Sequence, residues 1–368
     1  VRKLATIQRI KNLTPIKKAD RIELAYILGW ECVVKKGEFK INDYCVYFEV
    51  DSILPEKEVF EFMRPRKFKV KTAKFRKQIS QGLALPISIL DKNIVIKEGM
   101  DLTTILNITK YDPEKIKECK RSKSKNIFVN YMMKYKIFRK CYLFIFPKLK
   151  GCFPDFIPKT DEERLQNIPN IIEKNNGENF YCMEKLDGQS LTVFYNNKLN
   201  KWYKPWINNA FGVCSRNIWR KRKDMSNWWF VVKNLDIERK LKKYCKQTKT
   251  NLAIQGEIIG PNIQNNRYNI KQKQLHIFSI FNIDTQKYLN FHDKSHVIHQ
   301  LGLTEVPFYN IIQFNTSIHT VKWFTERTNK KSKINNEVLM EGLVYRSIKN
   351  DDISFKVINP NFLLKYNL

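Results

Sequence analysis

Short runs of β-branched and aromatic residues, each broken off by turn formers, recur along almost the whole sequence. Trp30-Glu31-Cys32-Val33-Val34 and Tyr44-Cys45-Val46-Tyr47-Phe48-Glu49-Val50 are two of them, and Gly37 with the Asn42-Asp43 pair supplies turns around Glu38-Phe39-Lys40-Ile41. Such side chains lose rotamer freedom in a helix and pack well on a pleated surface, so the runs predict strands. Residues 79–85, with Gly82 inside, and 87–96 add further strand signals. Residues 1–100 therefore read as all-β, several short strands closing into a small barrel. Beyond residue 150, strand signals return at 180–183, 191–195, 252–259, 275–283, 342–346 and 353–358. There they alternate with helical patterns. Thr160-Asp161-Glu162-Glu163 has the spacing of a capping box and predicts a short helix. Residues 228–244 space Trp229, Val232 and Leu235 along one helix face. The fold class that follows is α+β, with antiparallel sheets and flanking helices in the second domain.

Charge narrows the partners. The chain carries 67 Lys and Arg against 36 Asp and Glu, a net +31. The excess is clustered: residues 64–77 hold eight basic residues and no acid, and residues 110–150 hold thirteen basic and three acidic, a local +10. Clusters of this kind are an electrostatic footprint for a polyanion, and nucleic acid is the expected partner. A small basic barrel reads most economically as an OB-fold. The layout is then an OB-fold domain over 1–100, a basic, partly helical connector over 101–150, and a second domain over 151–368. Within the connector, Asp112-Pro113-Glu114 has the form of a helix start. The most apolar stretch, residues 141–146, is far too short to span a membrane, and no signal core follows Val1-Arg2-Lys3. The expectation is a monomer inside the cell, cytoplasmic or nuclear, not secreted. Eight scattered cysteines without a C-x-x-C pair fit reduced thiols and give no zinc ribbon.

Chemistry concentrates around Glu184-Lys185-Leu186-Asp187-Gly188-Gln189-Ser190, which sits between two predicted strands. Taken alone, K-x-D-G is an ordinary charged turn; its company raises it. Downstream follow Gln255-Gly256-Glu257-Ile258-Ile259-Gly260, Leu275-His276-Ile277-Phe278-Ser279-Ile280, Met340-Glu341-Gly342-Leu343-Val344-Tyr345 and Ser354-Phe355-Lys356-Val357-Ile358. A lysine inside an apolar strand is costly unless it meets an anion, so Lys356 wants a phosphate or carboxylate partner. Two acids and a second lysine, each at a strand start or interior, predict convergence on one phosphate and one metal.

This ordered series resembles motifs I, III, IIIa, IV and V of the covalent nucleotidyltransferase superfamily of ligases and capping enzymes. It is most similar to ATP-dependent RNA ligases of the Naegleria type, which place an OB domain before the nucleotidyltransferase domain. Only twelve residues follow Lys356, too few for an OB domain after motif V. The segments from Gly29-Trp30 to Asp51-Ser52-Ile53-Leu54-Pro55 and from Phe156 to Arg164 resemble that family as well. The resemblance implies an RNA ligase that attaches AMP to Lys185, using ATP with Mg²⁺ or Mn²⁺, and seals a 3′-hydroxyl to a 5′-phosphate. It implies that Lys356 contacts the α-phosphate, that Asp187, Glu257 and Glu341 supply metal ligands, and that Phe278 stacks on adenine. Glu257 is alternatively a ribose contact. Glu184 and Arg216 are implied to touch the nucleotide. RNA would lie along residues 64–77, 110–150 and 216–223. Positive charge from a divalent metal and from Lys356 is expected to lower the pKa of Lys185. Many RNA ligases carry K-x-K in motif V, whereas Ser354 occupies the first position here, and Lys365 is the other candidate for the second lysine's role. A DNA ligase, a GTP-using capping enzyme and an inactive binding module are the competing readings; the intact Lys185, Asp187, Glu257, Glu341 and Lys356 argue against the last.

Two further groups carry less. His292, His296 and His299 fall on one helix face, but no carboxylate or cysteine completes a metal site, so surface or packing roles are expected. Trp202, Trp228 and Trp229 are expected in the core rather than as base platforms.

Overall fold

The computed structural model describes residues 2–111, 132, 135, 137–138, 151–200, 210–220, 226–350 and 352–368. The first sheet is antiparallel, in the order Trp30–Lys35, Ile22–Ile27, Ala5–Pro15, Tyr44–Phe48, Leu83–Pro86. Residues 5–9 of the long strand pair with Tyr44–Phe48, and from Ile10 onward it pairs with Ile22–Ile27 across an irregularity between Ile10 and Asn12. A bulge bends a strand and sharpens its twist, which lets a flat ladder curl toward a barrel. Apolar side chains fill both faces of the curl: Ile7, Val46, Phe48 and Phe60 on one, Ile10, Ala25, Trp30 and Tyr47 on the other. The expected OB-type domain is what this N-terminal part of the chain builds. Its core runs past residue 100, because Leu102 and Ile108 belong to it and Thr109–Lys110 pairs with Ser52–Ile53.

Three local expectations need correction. Residues 87–96 form no strand; only a 3-10 turn, Ile87–Ile89, is present, and Ile94 and Ile96 pack on the core from a loop. The Thr160 to Glu163 segment opens no helix. Instead Glu163–Arg164 pairs in parallel with Ser354–Ile358, because Asp161 and Glu162 are drawn into ion pairs with Lys356 and Arg346. Residues 228–244 form two helices, Asn227–Asn234 and Ile237–Thr248, separated at Asp236, whose φ of 50° lies in the left-handed region. The expected helix start at Asp112, most of the connector, Trp202 and residues 221–223 lie outside the described residues.

Among the described residues the second domain holds two sheets. The larger contains Phe211–Cys214, Gln189–Tyr195, Leu252–Ile259 and Gln274–Asn282 as neighbours, and the three helices Asn227–Asn234, Ile237–Thr248 and Phe291–Gln300 pack on it through Trp229, Val232, Leu241, Val297 and Ile298. Trp228 and Trp229 are thus core residues, as expected. The smaller sheet runs Glu163–Arg164, Ser354–Ile358, Gly342–Ser347, Asn179–Lys185, Phe308–Gln313. The chain crosses from the smaller sheet to the larger in three residues, Leu186, Asp187 and Gly188. The two domains meet through polar contacts. Trp30 Nε1 donates to Asn167 Oδ1 at 2.7 Å, Gly29 N donates to the Gln166 carbonyl at 2.9 Å, and Arg164 pairs with Asp51. Among the described residues no helix is long and apolar enough to cross a membrane.

Candidate active site

Strand alternation decides which side chains meet where the sheets join. Residues two apart share a face, so Tyr181, Met183 and Lys185 point one way and Phe180, Cys182 and Glu184 the other. The packing follows suit, with Tyr181 and Met183 in one apolar cluster and Phe180 and Cys182 in a second. Lys185 stands opposite Gly342 in the ladder, which brings Glu341 beside it. Lys185 Nζ donates to both carboxylate oxygens of Glu341, each at 2.7 Å, while 27% of the lysine side chain stays exposed. The nucleophile candidate is therefore held, yet reachable.

Two glycines let the walls come this close. A Cβ at Gly188 would stand 2.2 Å from the Ile258 carbonyl oxygen, and one at Gly342 would stand 2.2 Å from the Val357 carbonyl oxygen. Neither neighbour can swing away, because both oxygens belong to strand backbone. Gly342→Ala should therefore pry two strands apart and destabilise the fold by about 1–3 kcal/mol. A urea midpoint equal to that of the parent chain would show that the strands part at no cost.

The carboxylates around Lys185 are crowded. Asp187 pairs with the Arg267 guanidinium, and its backbone N–H donates to Tyr268 Oη at 2.8 Å. Burial, then the Glu341 charge, raise the Asp187 pKa. Burial pushes Glu257 up to about 8; Lys185 opposes that rise, and Glu341 and Asp187 add to it. For Lys185 itself burial pulls the pKa down, but Glu341 and Glu257 outweigh it and the net shift is upward. The protein's own charges thus favour the ammonium form, because carboxylates surround the amine and Lys356 is engaged with Asp161; the expected lowering belongs to a divalent metal acting together with Lys356. Hard oxygen donors that repel one another in a desolvated place suit a divalent cation such as Mg²⁺ or Mn²⁺. Among the described residues no three His, Cys, Asp or Glu side chains are already gathered as a ligand set. Glu341 is committed to Lys185, and Asp187 to Arg267.

Lys356 does find an anion. Its Nζ donates to Asp161 Oδ1 at 3.0 Å, while Arg216 and Lys110 donate to Asp161 Oδ2 at 2.7 and 3.2 Å. Burial alone would raise the Asp161 pKa, but Lys356, Arg216 and Lys110 hold it well below the ordinary carboxylate range. Burial also lowers the pKa of Lys356, against the pull of Asp161. Ser354 lies two residues before Lys356 on the same strand and shares its face. Lys365 is exposed on the helix Pro360–Tyr366, its ammonium 5.5 Å from the Tyr366 ring centroid.

The remaining candidates sort by face. Phe278 is half-buried against the cluster of Met183, Leu186 and Tyr268, on the Lys185 side. Glu184 lies on the other face, its carboxylate bonded to Tyr309, Ser332 and the Lys333 backbone N–H. Its side chain therefore points away from the Lys185 face. His292, His296 and His299 are exposed on Phe291–Gln300. Nothing in the sequence spacing singles out Arg267 or Tyr268, and Lys110 enters there only as part of the basic run 110–150.

Similarity to known proteins agrees with this geometry. Protein-family models described as an OB-fold domain and as RNA ligase match residues 4–87 and 178–358. No curated protein matches. Naegleria gruberi RNA ligase with PPi is 32% identical over 100% of this chain and 99% of that one, with a TM-score of 0.81. A mutant of the same ligase with ATP and Mn is 31% identical over 99% of each chain, TM-score 0.79, and another with AMP and Mn is 32% identical over 99% of each, TM-score 0.81. This chain belongs to the RNA ligase family. The two matched regions of this RNA ligase fall on its two folded domains, so the α+β class and the domain order read from sequence both hold. Neither the DNA ligase nor the capping-enzyme alternative is favoured for it.

Proposed function

We propose that this ligase joins RNA 3′-hydroxyl and 5′-phosphate ends through a lysyl-AMP on Lys185, with ATP as the donor and Mg²⁺ or Mn²⁺ as the metal. The observation that carries the reading is the Lys185 amine held by Glu341 where two sheets join, in a chain alignable end to end with an RNA ligase solved with ATP, AMP, PPi and Mn. Lys185 Nζ, once deprotonated, attacks the α-phosphorus of ATP and pyrophosphate leaves. AMP then passes to a 5′-phosphate, and attack by a 3′-hydroxyl expels it and seals the strand. Lys356 stabilises charge on the α-phosphate, taking phosphate oxygens in exchange for Asp161. Arg216, on the same carboxylate, joins it as a phosphate contact, and Phe278 offers its half-buried ring to adenine. Asp187, Glu257 and Glu341 are the residues that would hold the metal, Glu257 alternatively reaching the ribose hydroxyls. Bound there, the cation supplies positive charge that steadies the phosphoryl oxygens and favours the neutral amine.

The test uses α-labelled ATP or GTP with Mn²⁺. A labelled protein band from ATP and not GTP is expected, followed by sealing of nicked RNA in preference to an all-DNA nick. Label from GTP alone, or equal sealing of all-DNA, would overturn the reading.

We place the RNA along the basic run 64–77. Its first part lies in the 3-10 helix Glu58–Arg66 and its second in the hairpin Ala73–Phe75 with Gln78–Ser80, and Arg66, Lys67, Lys74, Arg76 and Lys77 are exposed. The face is narrower than the sequence suggests, because Phe68 is in the core and Lys69 pairs with Asp51. Replacing Arg66, Lys74, Arg76 and Lys77 with glutamine should weaken RNA binding at every sequence. It should also flatten the salt dependence by up to roughly one unit of slope per lost phosphate contact. Affinity measured against salt concentration checks this, and an unchanged slope would move the RNA elsewhere.

A further inference from the structure

We propose that Arg267 is a positioning residue for the nucleophile loop, braced in turn by the helix Pro360–Tyr366; the proposal rests on the reading of Lys185 and Asp187 given above. The segment after Leu252–Ile259 curls around the Lys185 to Gly188 turn. Asn262, Gln264, Asn265, Asn266 and Asn269 all have positive φ, a density of left-handed residues that persists only where the surroundings fix it. What fixes it here is the turn itself. Gln264 Nε2 donates to the Gly188 carbonyl at 3.3 Å, Tyr268 Oη accepts from Asp187 N at 2.8 Å, and the Arg267 guanidinium pairs with the Asp187 carboxylate. Tyr268 is 1% exposed, and its carbonyl accepts from Asn335 Nδ2 at 3.0 Å, so the clamp is itself anchored.

Behind the clamp stands Pro360–Tyr366. The Arg267 guanidinium carbon lies 4.7 Å from the Tyr366 ring centroid and 5.6 Å from that of Phe362. Only 10% of the arginine side chain and 14% of the Asp187 side chain are exposed, so water does little to loosen the pair. A flat guanidinium between aromatic rings and a carboxylate has its plane determined, which a lysine ammonium would not. The same helix reaches the other side of the site. Asn359, its cap, donates from its backbone N–H to the Glu341 carbonyl at 2.8 Å and from Nδ2 to the Met340 carbonyl at 3.1 Å. One short helix therefore braces Asp187 through Arg267 and holds the backbone of Glu341, two of the three acids around Lys185.

The experiment uses the full chain with Arg267→Ala, Arg267→Lys and Tyr366→Ala. Two quantities are read: deuterium exchange of residues 185–190 in metal-free protein, and lysyl-AMP formation as a function of Mn²⁺ concentration. Loss of a group that orients a metal ligand typically costs tenfold or more in affinity or rate. Arg267→Ala should exchange faster at 185–190, need roughly tenfold more Mn²⁺ for half-maximal labelling, and be only partly restored by Arg267→Lys. Tyr366→Ala should shift both readings in the same direction, and it decides the matter if Arg267→Ala fails to fold. Parental exchange and a parental Mn²⁺ curve in Tyr366→Ala, or full rescue by lysine, would overturn the proposal. Label on Lys185→Ala would instead sink the underlying site assignment, leaving the exchange measurement to judge the clamp.

Discussion

Lys185→Ala is expected to take no label from α-labelled ATP while remaining folded. In the proposed mechanism the amine forms the bond to AMP, so its loss should remove the first step entirely rather than slow it. Stability should change little, by about 1 kcal/mol, because a pair whose lysine is partly exposed contributes modestly. The same variant should still seal a nick whose 5′ end already carries AMP, since the remaining chemistry needs Lys356 and the carboxylates but no lysyl bond. Single-turnover sealing of pre-adenylylated RNA separates the two outcomes. A labelled Lys185→Ala protein would remove this residue from the mechanism.

Glu341→Ala and Lys356→Ala are the next largest. Glu341 accepts both hydrogen bonds from the Lys185 amine and is the group a metal would share. Lys356 is the buried cation that Asp161 holds ready, its side chain 12% exposed. Removing a preorganised charge aimed at a reacting phosphate typically costs roughly 10²–10³-fold, or about 3–4 kcal/mol. Labelling rates should fall by that order in both. Lys356→Arg should recover part of the loss, because charge is kept while reach is altered. Rates within twofold of the parent in both alanine variants would mean that the motif series does not form a working site.

Much of this was legible because strands advertise themselves through alternation and because reactive groups sit at strand ends. Lys185, Glu341 and Lys356 could be picked out one by one. Their geometry could not, since Lys185 and Glu341 lie 156 residues apart and Lys356 and Asp161 lie 195 apart. Ladder register, with Lys185 opposite Gly342, brings the first pair together, and no local pattern encodes it. The same long-range forces defeated the capping box at Thr160. Local spacing favoured a helix, but Asp161 and Glu162 gained more from distant cations than from backbone N–H groups nearby. Glu184 turns its side chain away from Lys185 for a simpler reason: adjacent residues of a strand face opposite ways. The upward shift of Lys185 was hidden too, because the sequence shows which acids exist and not how many converge on one amine.

The smaller sheet has a temporal consequence. The strand bearing Lys185 takes both of its neighbours from segments made much later in the chain, Phe308–Gln313 and Gly342–Ser347. The larger sheet, by contrast, pairs Gln189–Tyr195 with Phe211–Cys214 close by in sequence. During synthesis the larger sheet can begin to assemble while Lys185 still waits on an unpaired strand. Pairings of such high sequence separation form slowly and leave edges exposed meanwhile. The strand order therefore leaves Lys185 without the segment that carries Glu341 until late in synthesis, and on the proposed mechanism a chain stopped short of Glu341 should not take label from ATP.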